Sequence, residues 1–324
     1  CDLLFVDEAA AIPVPMLLQI LKSYPRIVFA STMVGYEGNG RGYTLRFLHY
    51  LRSQFKSLKA ITLDEPVRFA KYDPLENSLR ELLLLDAKYL ETQSKESYQF
   101  ESISKEQLID DEQLLSQIMA LLALAHYQTT VNDLRQLLDA PELQLSICKQ
   151  ENALKAVCLI AVEGGLAPEI AEQVIKGKRR PHGHLMAQTL TQLSRNTEDL
   201  CKRSARVVRI AVAPERHQQG IGSALLNYCE SQLNNCSYFG ASFGANAALV
   251  KFWQSNGFNI VKLGFSHDKA TAEHAALVIK ALSKQSTDSA ALLIEEFKQD
   301  FSLQLLGHFS SLPWQLIAEL FKGL

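Results

Sequence analysis

The sequence predicts an α/β fold with two sheet-containing modules and a helical C-terminal segment. Residues 207–212 are apolar and mostly β-branched, and they lead through a proline into a segment with helical spacing. Two shorter apolar runs, at 3–6 and 26–31, flank a segment in which two prolines start a helix. Residues 289–324 repeat apolar side chains at amphipathic helical intervals. Strands that alternate with helices are typical of α/β proteins.

The composition is that of a globular chain with room for about two domains. Of the 324 residues, 47% are hydrophobic, and the net charge of −2 gives no overall basic signal for nucleic acid. No apolar run approaches the ~18 residues that span a bilayer. The six cysteines lack the paired short spacings of zinc sites or disulfide frameworks, and no signal-peptide pattern is present. We therefore expect a cytoplasmic protein with no membrane or DNA partner, and nothing here indicates its oligomeric state.

The start of the chain has the pattern of an interior strand. It opens at Cys1 without a methionine and enters an apolar run almost at once. We therefore expect the chain to be part of a longer protein.

The segment after residue 212 carries the clearest functional signal. Gly220 and Gly222 fall where a helix should begin, so N–H groups without intrahelical partners are left uncovered by any Cβ. Such amides, together with the positive end of the helix dipole, bind phosphate groups. A tight strand-to-helix turn without a ligand is the alternative for the glycine pair taken by itself.

Two motifs in this half of the chain resemble those of the GNAT acetyltransferase superfamily. The pattern Val-x-Pro-x-x-x-x-x-Gly-x-Gly, from Val212 to Gly222, resembles its acetyl-CoA-binding motif, and the spacing from Asn246 through Phe252-Trp253 to Gly257-Phe258 resembles its following helix. The resemblance implies that the backbone of residues 210–212 polarises the thioester carbonyl. It also implies an acetyl-CoA site made of Ile210, Ala211, Val212, His217, Gln218, Gln219, Gly220, Ile221, Gly222 and Ser223.

The chain departs from this family at two positions. His217 stands where the family usually has Arg or Gln, and Trp253 stands where it often has Tyr. That tyrosine is the usual candidate for protonating the leaving thiolate, which an indole cannot do. No catalytic residue for acetyl transfer is therefore assigned, and the general base stays unknown.

The N-terminal strand ends in the residues of a Walker B arrangement. Asp7 would hold Mg²⁺ and Glu8 would orient the attacking water, although solvated acids at a strand end have the same pattern. A second strand at 26–31 completes a strand–helix–strand unit like those of nucleotide-hydrolysing helicase cores. Arg41 follows on a glycine-rich loop, where it is suited to the γ-phosphate of ATP; an ordinary surface loop is the alternative.

Three motifs in this order resemble the family of bacterial tRNA(Met) cytidine acetyltransferases. They are Asp-Glu-Ala-Ala-Ala-Ile-Pro, Gly-Tyr-Glu-Gly-x-Gly-Arg-Gly and the glycine pair described above. The resemblance implies an ATP-dependent helicase-like module fused to a GNAT module that acetylates the exocyclic amine of the wobble cytidine of elongator tRNA(Met). The cofactors would be acetyl-CoA and ATP with Mg²⁺. Because no Gly-x-x-x-x-Gly-Lys-Ser/Thr occurs in the sequence, we expect this chain to hydrolyse ATP no faster than background.

The predicted organisation has three parts. Residues 1–95 are the C-terminal half of a P-loop/helicase-like parallel sheet, 98–283 a GNAT domain, and 284–324 a helical tail that packs on that domain or extends its RNA surface. The GNAT part should start with strand, helix, helix, strand, strand. The predicted elements are helices at 44–55, 75–87, 112–126 (capped by Asp110 or Asp111) and 132–138 (capped by Asn132), strands at 61–63, 238–243, 260–263 and 275–279, and a hairpin of 143–148 with 153–162.

A basic run is the candidate RNA contact. Lys178, Arg179 and Arg180 could grip phosphates of RNA or of the adenosine end of coenzyme A, and a solvated loop is the alternative. Arg203, Arg206 and Arg209 would extend this basic surface. Two nearby histidines, His182 and His184, lack a third ligand, so no metal site is expected there.

Two other functional classes stay open at this point. A GNAT acetyltransferase for protein or small-molecule amines would keep the glycine pair but would have no use for the Walker B strand. A non-enzymatic RNA-binding helper would keep the basic run but would not need the phosphate-binding amides.

Overall fold

The computed structural model describes residues 2–32, 47–63, 65–67, 70–85, 87–91, 97–125, 131–268 and 272–322. Arg41 and most of its glycine-rich loop lie outside these residues. The N-terminal region contains β1 (Leu4–Val6), α1 (Val14–Ser23), β2 (Ile27–Phe29), α2 (His49–Gln54) and α3 (Pro74–Leu82).

The two N-terminal strands pair in parallel, as the sequence predicts. Phe5 is the register partner of Val28, and α1 connects the strands. One face of the pair is buried in a small cluster that includes Leu17 and Phe47. Phe5 and Val28 are 69% and 42% exposed, so the opposite face of this short sheet presents apolar side chains to solvent.

Two N-terminal predictions are wrong. Residues 61–63 form no strand, and Ile61 and Leu63 are 83% and 90% exposed, because no neighbouring strand pairs with them among the described residues. The helix predicted at 75–87 ends at Leu82 and buries none of its residues, so it is not a core helix. The helix predicted at 44–55 is present from residue 49, and its first positions lie outside the described residues.

The second module is built on a seven-stranded sheet with the order β3-β4-β5-β6-β7-β9-β8. All its pairs are antiparallel except β6 with β7, which are parallel. The predicted hairpin is confirmed, with β4 and β5 joined by a turn in which Glu151 has φ 53°. The strands are β3 (Tyr98–Ile103), β4 (Leu143–Gln150), β5 (Ala153–Gly164), β6 (Arg203–Val212), β7 (Cys236–Gly244), β8 (Asn259–His267) and β9 (His274–Ala281).

Helices cover both faces of this sheet. One face packs against α4 (Lys105–Asp110), α5 (Glu112–Ala125) and α6 (Val131–Asp139). The other packs against α10 (Ile221–Gln232), α11 (Ala247–Ser255), α12 (Lys284–Gln304) and α13 (Trp314–Lys322). The predicted order of strand, helix, helix, strand, strand is confirmed, with α4 as an extra turn before α5.

The capping predictions are half right. Asp111 accepts a hydrogen bond from Leu114 N at 2.8 Å, so it caps α5 as predicted. Asn132 lies inside α6, which begins one residue earlier, and is therefore not its cap.

The C-terminal helices belong to the main hydrophobic core of the second module. Phe297 and Phe301 of α12 and Leu316 and Leu320 of α13 are buried in the same cluster as β5, β6 and β9. This confirms that the tail packs on the second module. None of the described helices combines the length and the apolar character that crossing a bilayer requires.

Three short helices between β5 and β6 were not predicted. They are α7 (Pro168–Ile175), α8 (Leu185–Ser194) and α9 (Glu198–Cys201). Glu163, whose side chain is fully buried at the end of β5, anchors this insertion. Its carboxylate accepts hydrogen bonds from Met186 N at 2.7 Å and Ala187 N at 3.1 Å, at the positive end of α8, and it pairs with Arg206 of β6.

Replacing Glu163 with Gln should lower the free energy of unfolding by about 3 kcal/mol, because the Arg206 charge would lose its buried partner. Chemical denaturation followed by circular dichroism measures this loss. The exposed Arg135–Asp139 pair provides a control, since Arg135→Ala should cost less than about 1 kcal/mol. Equal costs for the two variants would contradict a structural role for the Glu163 carboxylate.

Candidate functional site

A gap opens in the middle of the sheet between β6 and β7. Their parallel pairing ends at Val207 with Ala241, although β6 runs on to Val212 and β7 to Gly244. β5 continues to hold β6 up to Val212, and β9 continues to hold β7 up to Gly244. The facing edges of the two strands therefore carry backbone groups that the sheet ladder does not pair, which makes them available to an extended ligand.

A one-residue bulge marks the start of this gap. Ile160 of β5 lies opposite Val207 and Leu159 lies opposite Arg209, so Val208 has no counterpart. Bulges bend a strand and re-aim its groups, and they occur next to functional sites. Here the bulge turns β6 where its pairing with β7 ends.

The glycine pair begins a helix, as the sequence predicts. Gly220 is the N-cap of α10 with φ +79°, a left-handed conformation that favours glycine. The first helical hydrogen bond runs from Ala224 N to Gly220 O at 2.9 Å, so the N–H groups of residues 221–223 have no partner within the helix. No described residue has an atom within 4 Å of the position that a Cβ on Gly220 would take. We call residues 218–223 the amide cradle.

Gly222 serves a different purpose from Gly220. A Cβ there would lie 3.4 Å from the side chains of both Val212 and Phe252. The start of α10 therefore lies within van der Waals distance of the end of β6 and of α11. The amide cradle is thereby held beside the open end of the gap.

His217 turns back toward the strand. Its Nε2 lies 3.0 Å from Val212 O, and the Gln219 side chain donates to Glu215 O at 3.2 Å. Both contacts close the loop between β6 and α10 on itself. The resemblance implies that His217 and Gln219 bind the cofactor, and in the structure both side chains support the loop that carries the amides.

The second motif builds the core beneath α11. Asn246 caps this helix by accepting from Leu249 N at 3.0 Å. Trp253 is 3% exposed, and its ring centroid lies 5.8 Å from Phe243, 5.4 Å from Phe252 and 4.9 Å from Phe258. The indole is therefore a packing element of the core.

The prediction that the arginines of β6 extend a basic surface is wrong for Arg206 and Arg209, whose side chains are only 16% and 17% exposed, whereas Arg203 is 55% exposed. Arg203 pairs with Glu142 at 3.6 Å, Arg206 with the buried Glu163, and Arg209 with Asp133 of α6 at 2.5 Å. Their charges are compensated within the fold, a contribution of acidic residues that are distant in sequence.

The basic run lies between α7 and α8. Lys178, Arg179 and Arg180 are all exposed. His184, four residues on, accepts a hydrogen bond from Gly164 N at 2.9 Å and so has a structural role. No group of three or more metal-ligating side chains occurs among the described residues.

The two residues of the predicted Walker B arrangement lie at the carboxyl end of β1. Asp7 and Glu8 are exposed, and Asp7 Oδ1 accepts from Glu8 N at 2.9 Å. The ends of β1 and β2 are joined by a hydrogen bond from Ala10 N to Ser31 Oγ at 3.0 Å. Two exposed carboxylates at the end of a parallel strand fit a hydrated Mg²⁺ ion.

Comparison with known proteins gives two family matches. A family model described as RNA cytidine acetyltransferase NAT10/TcmA, helicase domain, matches residues 1–86, and one described as GNAT acetyltransferase 2 matches residues 117–235 and 225–283. Among solved structures, the ribosomal-protein-S18-alanine N-acetyltransferase from Escherichia coli aligns with 58% of this chain and 95% of its own, at 15% identity and a TM-score of 0.39.

Full-length relatives are also similar. The tRNA(Met) cytidine acetyltransferase TmcA of Nitrosococcus halophilus is 37% identical over 99% of this chain and 44% of that protein. The protein of the same name from Vibrio cholerae is 34% identical over 98% of this chain and 45% of that protein. The chain therefore spans about half the length of the relatives it matches.

Proposed function

Since the chain belongs to the GNAT acetyltransferase 2 family, we propose that it transfers the acetyl group of acetyl-CoA to the exocyclic amine of the wobble cytidine of elongator tRNA(Met). The acceptor is inferred from the relatives, which are named tRNA(Met) cytidine acetyltransferases, and from the helicase-domain match at the N-terminus. In the intact protein, acetyl transfer would be coupled to ATP hydrolysis in the cytoplasm.

One observation carries the cofactor part of this proposal. The amide cradle and the gap between β6 and β7 lie at the same end of β6, where the start of α10 packs against Val212. Coenzyme A has a pyrophosphate for the cradle and an extended arm with amide groups for the unpaired strand edges. The two features together fit a phosphate-linked thioester better than either a free phosphate or a peptide.

The reaction depends mainly on the placement of the cytidine amine next to the thioester. A cytidine amine is neutral at pH 7 but is a poor nucleophile, because its nitrogen is conjugated to the ring. In the reaction the amine nitrogen bonds to the thioester carbonyl carbon, the C–S bond breaks, and the nitrogen loses a proton as the thiol of coenzyme A leaves. Holding both reactants in the gap supplies much of the acceleration, and a backbone N–H of residues 210–212 would stabilise the oxyanion.

The first module would supply part of the ATP site. Asp7 would hold Mg²⁺ and Glu8 would orient water, with Arg41 on the γ-phosphate. The positions of Asp7 and Glu8 at the end of a parallel strand support this assignment. The phosphate-binding lysine is not encoded in these 324 residues, so such a site needs further residues to be complete.

Replacing Gly220 with Asp should abolish acetyl-CoA binding, because a carboxylate would occupy the phosphate position and repel the pyrophosphate. Isothermal titration of the purified chain measures the dissociation constant. In cells that carry this substitution in the gene, nucleoside mass spectrometry should find elongator tRNA(Met) without acetylated cytidine.

Gly183 offers a matched control for this substitution. It has φ +85° and open space around its Cβ position, like Gly220, but lies between α7 and α8. Gly183→Asp should carry the same backbone strain and leave acetyl-CoA binding unchanged. Unchanged binding in a folded Gly220→Asp variant would remove the cradle from the mechanism, and acetylated tRNA(Met) in cells without the gene would remove the proposed acceptor.

The basic run is proposed to bind tRNA through its phosphates. Replacing Lys178, Arg179 and Arg180 together with Ala should weaken tRNA binding and flatten the slope of log K against log salt by about 2 to 3. Fluorescence titrations at several salt concentrations measure the slope. Replacement of Arg52, Lys56 and Lys59, which are equally exposed, controls for the loss of three charges. An unaltered slope in the first variant would show that the run is only a solvated loop.

A further inference from the structure

The segment that joins the two modules is fastened to the second one. Gln117 of α5 binds it twice, donating through Nε2 to Lys88 O at 3.1 Å and accepting through Oε1 from Leu90 N at 3.2 Å. Between these two points the Tyr89 side chain packs against the core formed by α4, α5 and α6 with the sheet. We call residues 88–90 the strap.

The Tyr89 hydroxyl reaches the loop that carries the amide cradle. It lies 2.9 Å from Glu215 Oε1 and 2.9 Å from Leu154 O, and it donates its one proton to either acceptor. Burial, reinforced by the neighbouring Glu215 carboxylate, raises the pKa of Tyr89 well above its usual value. The hydroxyl therefore stays protonated and keeps its role as donor at any working pH.

Glu215 is held from a second side by a buried cation. Lys155 Nζ lies 3.2 Å from Glu215 Oε1, and the Lys155 side chain is fully buried. Burial alone would raise the pKa of Glu215, but hydrogen bonds from the backbone, Tyr89 and Lys155 hold it below its usual value. The carboxylate is therefore charged near pH 7 and compensates the Lys155 ammonium, which would be costly to bury alone.

Glu215 lies in the short turn that leads into the amide cradle. It is the middle residue of a single turn of 3-10 helix, Pro214–Arg216, between the end of β6 and residues 218–223. Its own carbonyl accepts the Gln219 side chain at 3.2 Å, and Ala213 N donates to Lys155 O at 2.8 Å. The turn is thus hydrogen-bonded to Gln219 of the cradle and, through Ala213, to Lys155, which pairs with Glu215.

We propose that the strap is a regulatory contact in which Tyr89, acting through Glu215, positions the amide cradle for acetyl-CoA and makes its affinity depend on the first module. A movement of the first module that pulls residues 88–90 away from Gln117 removes the Tyr89 hydrogen bond to Glu215 and loosens the cradle. This inference rests on the proposed acetyl-CoA site. It adds to that proposal a physical route from the ATPase module to the cofactor.

Linkage makes the coupling reciprocal. If the docked strap raises the affinity for acetyl-CoA, then bound acetyl-CoA stabilises the docked strap by the same factor. Bound acetyl-CoA also stabilises the folded chain as a whole, so regulation requires residues 88–90 to gain more protection than amides elsewhere in the second module. Hydrogen exchange at the amides of residues 88–90, with and without acetyl-CoA, therefore reports on regulation directly.

The test uses Tyr89→Phe, which removes the hydroxyl and keeps the ring. We expect the dissociation constant of acetyl-CoA to rise about three- to tenfold, the effect of one hydrogen bond to a charged group shared with a second donor. Exchange at residues 218–223 should become faster in this variant, while its melting temperature changes little. In the wild-type chain, acetyl-CoA should slow exchange at residues 88–90.

Tyr228→Phe is the matched control. Tyr228 lies on α10 beyond the cradle, and its hydroxyl is 3.3 Å from Ser102 Oγ of β3, so its loss should leave the affinity for acetyl-CoA unchanged. Equal affinities of wild type and Tyr89→Phe, or no protection of residues 88–90 by acetyl-CoA, would overturn the inference. A wild-type chain that does not bind acetyl-CoA at all would instead overturn the proposed function.

Discussion

The structure depends on the loss of pairing between β6 and β7 beyond Val207. A sheet of this size would normally continue its ladder, because unpaired backbone groups within a fold are costly. Here each strand keeps its outer partner to the end, so the sheet stays intact on both sides of the gap. The unpaired backbone groups lie where an extended ligand can form hydrogen bonds with them.

Packing and buried ion pairs in the rest of the second module hold that gap open. Packing of Trp253 against Phe243 and Phe258 fixes α11 beside the end of β7, and the start of α10 lies against Val212 at the end of β6. Buried ion pairs such as Arg206 with Glu163 and Lys155 with Glu215 tie the remaining loops to the sheet. The walls of the gap are therefore fixed before any ligand arrives.

Structural features that are encoded by local residue patterns were predicted from the sequence. Features that depend on residues distant in sequence were not. The strand before Pro214, the helix start at Gly220 and the hairpin of β4 and β5 follow from local residue types, and all were predicted. The helices between β5 and β6 depend on Glu163, whose partners lie more than twenty residues away, so no local signal indicated them. The pairing of the β6 arginines with acids on other elements was missed for the same reason.

The central claim is that the amide cradle and the gap hold acetyl-CoA together, and a crystal structure of the chain with coenzyme A tests it most directly. We expect pyrophosphate oxygens within about 3 Å of the N–H groups of residues 220–223. We also expect the pantetheine arm to lie between β6 beyond Val207 and β7 beyond Ala241, pairing with their backbone groups. Coenzyme A bound at the basic run of residues 178–180, with the gap empty, would contradict this claim.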